Sequence, residues 1–233
     1  MGAATIVGSG LLAKAFTAHL SHLSDVTIYA AGVSNSSCKD ASEFDRDTQR
    51  LHHTIERTTP STLFVYFSTC SVMDPWSQTS AYPLHKKKLE DLVRTLDRSL
   101  IVRLPQVAGT TPNPHTILNY LFSRIVRSER FDLWRNTTRN IIDVDDVARI
   151  VVDFVRNECA GQETINVANP ENSTMFEIVS ALEMATRRRA IYNSIDRGGD
   201  YRIDTSRIVD SANRCGVVFG NEYLLRTVIK YYG

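Results

Sequence analysis

Tyr82 and Lys86 stand one helical turn apart in the run Ala81-Tyr82-Pro83-Leu84-His85-Lys86. Positions i and i+4 of a helix share a face, so a phenol and an ammonium would point at the same place. A cation beside a phenol favours the phenolate and lowers its pKa, which would let Tyr82 exchange a proton near neutral pH. Thr69 closes the apolar run Leu63-Phe64-Val65-Tyr66-Phe67-Ser68-Thr69 just upstream, and its hydroxyl could hold a carbonyl or alcohol oxygen against the phenol. Most Tyr-x-x-x-Lys pairs are solvated helix surface, so this pair carries weight only through its surroundings.

Those surroundings begin at the N-terminus. Ala3-Ala4-Thr5-Ile6-Val7 reads as a short buried strand, followed at once by Gly8-Ser9-Gly10-Leu11-Leu12-Ala13 and a helical pattern through Ala15, Phe16, His19 and Leu20. This is the G-x-G-x-x-A form of the dinucleotide fingerprint in its strand–turn–helix setting. Gly8 permits a tight turn. Gly10 lets a pyrophosphate approach the backbone at the helix N-terminus, where N–H donors and the dipole favour an anion. Ala13 is small enough for helix and strand to pack closely. A plain Gly-rich turn is the alternative, and the downstream Thr69, Tyr82 and Lys86 weigh against it.

The chain of 233 residues suits a single domain, here 1–233, with a core in 1–110 completed by 111–233. Its 42% hydrophobic and 23% charged residues are ordinary for a globular protein. A formal net charge of +1 argues against a nucleic-acid surface, and the runs Lys86-Lys87-Lys88 and Arg187-Arg188-Arg189 read as solvated helix faces. Cys38, Cys70, Cys159 and Cys215 lack C-x-x-C spacing, which points to reduced thiols in the cytoplasm and to no disulfide framework or zinc site. The N-terminal apolar run is too short for a secretory signal, and no stretch approaches a membrane span.

The elements expected to position the site alternate between strand and helix. Strands are expected at 26–31, 63–67, 99–104 and 164–167, with a short one at 131–134. Helices are expected at 42–57, from Tyr82 to about Leu96, and at 117–126, 175–186 and 222–231. Another, capped by Asp145 or Asp146, is expected to run through Phe154. This order indicates an α/β fold with a mostly parallel sheet.

Five stretches in order resemble the extended short-chain dehydrogenase/reductase family, the group of nucleotide-sugar epimerases, dehydratases and ketoreductases. They are the Gly-rich start, the strand end Phe67-Ser68-Thr69-Cys70-Ser71-Val72, the Tyr82/Lys86 pair, Arg103-Leu104-Pro105-Gln106-Val107-Ala108-Gly109, and Arg139-Asn140-Ile141-Ile142-Asp143-Val144-Asp145-Asp146-Val147. Ile165-Asn166-Val167 is similar to the strand that follows. The resemblance implies a Rossmann-like parallel sheet with flanking helices and a small C-terminal substrate-binding portion. It implies NAD or NADP as cofactor, a nucleotide sugar as substrate, and Thr69, Tyr82 and Lys86 as the catalytic set. Gly8, Ser9, Gly10, Leu11 and Leu12 would line the pyrophosphate, and Ala30, Ala31 and Gly32 would run past the cofactor. Ser34, Ser71, Gln106, Asn119 and Arg139 would contact the sugar nucleotide. Arg139 could instead form a structural ion pair with Asp143 or Asp145, and Asn119 could be a solvated helix position. Family members commonly dimerise through the helix bearing the Tyr/Lys pair and its neighbour. The charges at Glu43, Asp45, Arg46, Asp47 and Arg50 weaken that expectation, and a homodimer remains the default.

One departure matters. The fingerprint expects an acidic residue after the second strand to bind the adenosine ribose. Tyr29, Ala30, Ala31 and Gly32 occupy that place, and Asp25 precedes the strand. Ala30-Ala31-Gly32-Val33-Ser34 is instead similar to the family's fourth-strand end. The second and third strands with their helices are therefore expected to be missing, leaving a truncated sheet whose edge is the first strand. The family's dehydratases need an Asp-Glu pair after the Ser/Thr, where this chain has Cys70 and Ser71, so dehydration is disfavoured unless a thiolate substitutes. Reduction of a keto-sugar or C4 epimerisation in polysaccharide precursor synthesis remains, with reduction favoured because an epimerase must hold its cofactor through a full cycle and a truncated adenosine pocket argues against such retention. The alternative is a non-catalytic relative that binds a nucleotide sugar or a partner, or a reductase whose adenosine contacts come from a partner subunit.

Overall fold

A computed structural model describes residues 2–233. In chain order the elements begin β1 Thr5–Val7, α1 Leu11–Thr17, β2 Val26–Tyr29, α2 Ala41–Glu56, β3 Leu63–Thr69, α3 Ala81–Val93 and β4 Ser99–Leu104. They continue β5 Gln106–Ala108, α4 Ile117–Val126, β6 Phe131–Trp134, β7 Thr138–Arg139, β8 Ile141–Asp143, α5 Val144–Asn157 and β9 Glu163–Asn166. The chain ends with β10 Ser173–Thr174, α6 Met175–Thr186, β11 Tyr192–Ile195, α7 Val209–Arg214 and α8 Tyr223–Tyr232. No helix among the described residues is long and apolar enough to cross a membrane.

Five strands form one sheet in the order β1-β2-β3-β4-β9, every pair parallel. β3 is central and buried along its whole length, as a strand covered on both faces must be. Its side chains still alternate between two cores. Leu63, Val65 and Phe67 join Phe16 of α1 and Val147, Ile150, Val151 and Phe154 of α5. Phe64 and Tyr66 join Leu51 of α2 and Leu89 and Val93 of α3 on the opposite face. A third core lies under α4, α6 and α8, with Phe131, Leu133 and Ile141 from the small strands.

The same alternation fixes an unusual topology. β1 to β2 and β2 to β3 step in the same direction across the sheet, yet α1 covers one face and α2 the other. The two crossovers therefore have opposite hands, although about 98% of such connections are right-handed. Among the described residues no strand lies beyond β1, so β1 forms the sheet edge anticipated from the sequence.

Two polar devices lock the frame. The α5 N-cap is Asp143, whose carboxylate accepts from the Asp145 N–H at 2.9 Å, rather than Asp145 or Asp146. The neighbouring aspartates anchor α8. Lys230 Nζ lies 2.7 Å from both Asp143 and Asp145, Tyr231 donates to Asp143, and Tyr223 donates to Asp146 at 2.7 Å. On the other face Glu90 of α3 is fully enclosed. It accepts two bonds from Arg103 of β4 (2.6 and 2.8 Å), one from Ser68 and one from Arg94.

These bonds hold the Glu90 carboxyl below its ordinary range. Arg103→Met should lower stability at neutral pH by about 3 kcal/mol, since it leaves a buried charge short of its main partner. Because the folded-state value is depressed, the stabilisation exists above the unfolded carboxyl pKa and is lost as pH falls through the folded one. Urea midpoints of the two proteins should therefore converge only once the pH has fallen through the depressed Glu90 value, below the ordinary carboxyl range.

Candidate active site

The turn after β1 is shaped by sterics at Gly8. Its φ is +126°, and a Cβ there would lie 2.5 Å from the Ala30 carbonyl oxygen. The close approach lets the β1 and β2 ends lie side by side. Gly10 differs. It caps α1 in an extended conformation, and a Cβ there would meet nothing within 4 Å. The space before it is the floor of a cavity of ≈ 400 Å³.

That cavity gathers most of the residues singled out above. Gly8, Ser9, Gly10, Leu11 and Leu12 line one end, Ala30, Ala31, Gly32 and Ser34 one wall, and Thr69, Ser71, Tyr82, Lys86 and Gln106 the other end. A second, polar cavity of ≈ 180 Å³ adjoins it, and Ser71, Tyr82, Pro105 and Gln106 line both. Arg139 enters this second cavity together with Asp74, Thr138, Asn172 and Tyr201. Tyr82 thus stands at the junction.

Thr69 ends β3, and its Oγ1 accepts from the Ser71 N–H at 3.2 Å, which leaves its own proton free to donate. Lys86 is 4% exposed, and its ammonium reaches the Tyr66 hydroxyl at 3.4 Å. It lies 5.9 Å from the centre of the Tyr82 ring, over the ring face. The expected lowering of the Tyr82 pKa is therefore not what the geometry produces. Burial, then the carboxylate of Asp47, push the phenol up, so Tyr82 is held protonated. Burial also lowers Lys86, against the opposing pull of Asp47 and Glu90.

Two further expectations are corrected. Asn119 lines neither cavity. Its amide donates to the Thr111 and Asn113 carbonyls and its oxygen accepts from Tyr232 at 2.6 Å, so its bonding capacity is spent tying the 111–113 loop to α8. Arg139 is not paired with Asp143 or Asp145, which Lys230 occupies. It donates to the Thr138 carbonyl, and its charged neighbour is Asp74. Cys70 is buried and its thiol is pushed up to about 12 by desolvation, so no thiolate substitutes for the missing acid–base pair.

Asp74 and Tyr201 escaped the sequence reading. Tyr201 follows Gly198 and Gly199 in a segment without regular structure, which Asn172 and Thr138 hold through Asp200. No periodicity marks such a segment.

A family model described as the NAD dependent epimerase/dehydratase family matches residues 11–168. The chain belongs to this family. No curated protein matches the sequence. Among solved structures, RMD from Pseudomonas aeruginosa complexed with NADPH superimposes with a TM-score of 0.75 at 16% identity, over 99% of this chain and 98% of that one. UDP-glucose 4-epimerase from Thermotoga maritima with UDP-glucose gives 0.71 at 16% identity, over 100% and 98%. UDP-glucuronic acid 4-epimerase from Bacillus cereus, in complex with UDP-glucuronic acid and NAD, gives 0.69 at 17% identity, over 90% and 75%. At these identities the likeness establishes the Rossmann-like fold.

The residues present fit the dinucleotide of this epimerase/dehydratase family at one end. The open floor before Gly10 admits a pyrophosphate, and Lys86 has donors to spare for a ribose. No acidic side chain follows β2 to meet the second ribose, since Tyr29, Ala30, Ala31 and Gly32 stand there.

The two glycines should separate in experiment. Gly8→Ala should cost on the order of 1–3 kcal/mol of stability through backbone strain alone. Gly10→Asp suits a helix N-cap and should leave stability within about 0.5 kcal/mol, while its charge abolishes NAD(P)H binding. Urea unfolding and nicotinamide fluorescence read the two effects.

Proposed function

We propose that the chain is an NAD(P)-dependent reductase acting on a keto-sugar carried by a nucleotide. The observation that carries this reading is the place of Tyr82, which lines both the cavity along the Gly-rich turn and the smaller polar one, with burial pushing its phenol up. Bound NADH or NADPH supplies a hydride for the carbonyl carbon. Tyr82 donates its phenolic proton to the carbonyl oxygen as the C–O double bond becomes single, which completes an alcohol. The Thr69 hydroxyl donates a hydrogen bond to the same oxygen and fixes it against Tyr82. The Lys86 ammonium stabilises the phenolate left behind. Arg139, with few protein partners, offers a cation to a phosphate or sugar hydroxyl in the polar cavity. The UDP-sugars bound by the two epimerases support a nucleotide sugar as the substrate class.

Epimerisation at C4 requires Tyr82 to remove a proton first. A phenol pushed up by burial opposes that step and favours reduction. A homodimer in the cytoplasm remains the default setting for the reaction.

The sheet edge favours a second reading. An internal deletion ahead of β2 accounts for the opposite-handed crossovers and for the absent ribose acid. Such a chain could retain nucleotide-sugar binding without redox chemistry, or borrow adenosine contacts from a partner subunit.

The experiment is a titration with NADH and NADPH followed by turnover of nucleotide-linked keto-sugars. Saturable binding is expected. Tyr82→Phe should keep that binding and lose about 10²–10⁴-fold in kcat. No binding at millimolar cofactor would sink the stand-alone reductase and leave the binding module.

A further inference from the structure

Beneath Tyr82 and Lys86 lies a second polar cluster that the proton-transfer step does not use. Phe44 and Asp47 are one turn apart on α2 and both face His85 of α3. The His85 ring stacks on Phe44, with centroids 4.4 Å apart and planes at 20°. Its Nε2 lies 3.0 Å from Asp47 Oδ2, with side chains 5% and 2% exposed. The same oxygen accepts from the Val33 N–H at 3.3 Å. Asp47 Oδ1 is buried with no hydrogen-bond partner among the described residues.

The carboxylate and the Lys86 ammonium flank one point. A Cβ on Gly32 would sit 3.1 and 3.3 Å from the Asp47 oxygens and 3.3 Å from Lys86 Nζ. Gly32, at φ +134°, leaves that space clear. The other groups facing Lys86 do not neutralise it. Tyr29 of β2, Tyr66 of β3 and Tyr82 of α3 are phenols pushed up by burial. Glu90 of α3 pulls Lys86 up less than Asp47 does, and its carboxylate is held by Arg103 and Arg94. Arg50, one turn along α2 from Asp47, is itself a cation. Asp47 is the remaining anion, and it is closed off from water. A carboxylate so enclosed is retained only where charge and hydrogen bonds compensate its desolvation. His85 and Val33 supply the bonds, and Lys86 supplies the charge.

We propose that Asp47 and His85 are positioning residues: His85, clamped by Phe44, locks the Asp47 carboxylate where it keeps the Lys86 ammonium charged and set beside Tyr82. This rests on the reading of Tyr82 and Lys86 as the proton-transfer pair. The His85–Asp47 bond ties α2 to α3, the helix that presents the pair.

The test reads Lys86 directly, by NMR of protein carrying ¹³C at the lysine ε-carbons, with the Lys86 signal assigned by its loss in Lys86→Arg. In Asp47→Asn the Lys86 titration should fall by about one pH unit or more. In His85→Leu it should fall in the same direction, and His85→Gln, which retains a donor for the carboxylate, should restore it. Titration of Lys86 at the wild-type pH in a folded Asp47→Asn protein would overturn the proposal. Should Asp47→Asn fail to fold, an unmoved Lys86 in His85→Leu would overturn it equally. Failure of the reductase reading is seen separately, as absent turnover in wild-type protein. Where turnover exists, the alkaline limb of kcat should shift with the Lys86 titration while KM for the keto-sugar holds.

Discussion

Helix α3 turns Tyr82, His85, Lys86 and Glu90 inward against strands lined by Tyr29, Phe64, Tyr66 and Ile101, where little of each side chain is left to water. An ammonium and a carboxylate placed there are unfavourable by several kcal/mol each unless neighbouring groups compensate them. The rest of this face is arranged around that requirement. β4 contributes Arg103 where an aliphatic side chain would pack, β3 contributes Ser68, and α2 contributes Asp47. The polar side chains thus fix the register of α3 against the sheet and the angle at which α2 lies on it. Apolar packing alone would tolerate sliding, whereas these bonds do not.

The sheet shows a different constraint. The Gly8 turn and α1 lie on the face that α5 covers, and β2 follows on the side where α2 must cover the other face. A left-handed step at one end of the sheet is the result. It leaves β1 with a free edge and brings Ala30, Ala31 and Gly32 directly beside the Gly-rich turn. The open floor before Gly10 depends only on β1, α1 and the end of β2. The second-ribose contact does not, because it needs an acid at a strand end that this sheet lacks.

Much of this was legible in the residues. The strands at 99–104 and 131–134 and the helices at 117–126 and 175–186 fall where periodicity puts them. The parallel sheet follows from the alternation of elements, and the edge at β1 from the single helix between Tyr29 and Phe67. Local signals fail where long-range bonding decides. The α5 cap moved to Asp143 because α8 supplies Lys230 and Tyr231, more than 80 residues later, as partners for that carboxylate. Asn119 left the site for the same reason, drawn to Tyr232. Tyr201 carries no pattern, since its loop, held by Asp200, has neither helical nor strand period, and Asp74 sits in a turn where it accepts from Trp76 and Ser77.

Tyr82 shows most clearly what spacing can and cannot say. Four residues place Tyr82 and Lys86 on one face of α3, and the structure does bring both to one cavity. Spacing says nothing of which atoms meet. The ammonium lies over the ring, 5.9 Å from its centre, and its hydrogen bond goes to the Tyr66 hydroxyl instead. Burial, then the nearby Asp47 carboxylate, push the phenol up rather than down. The state of that phenol follows from burial and from one carboxylate on a neighbouring helix, neither of which the Tyr-x-x-x-Lys pattern contains.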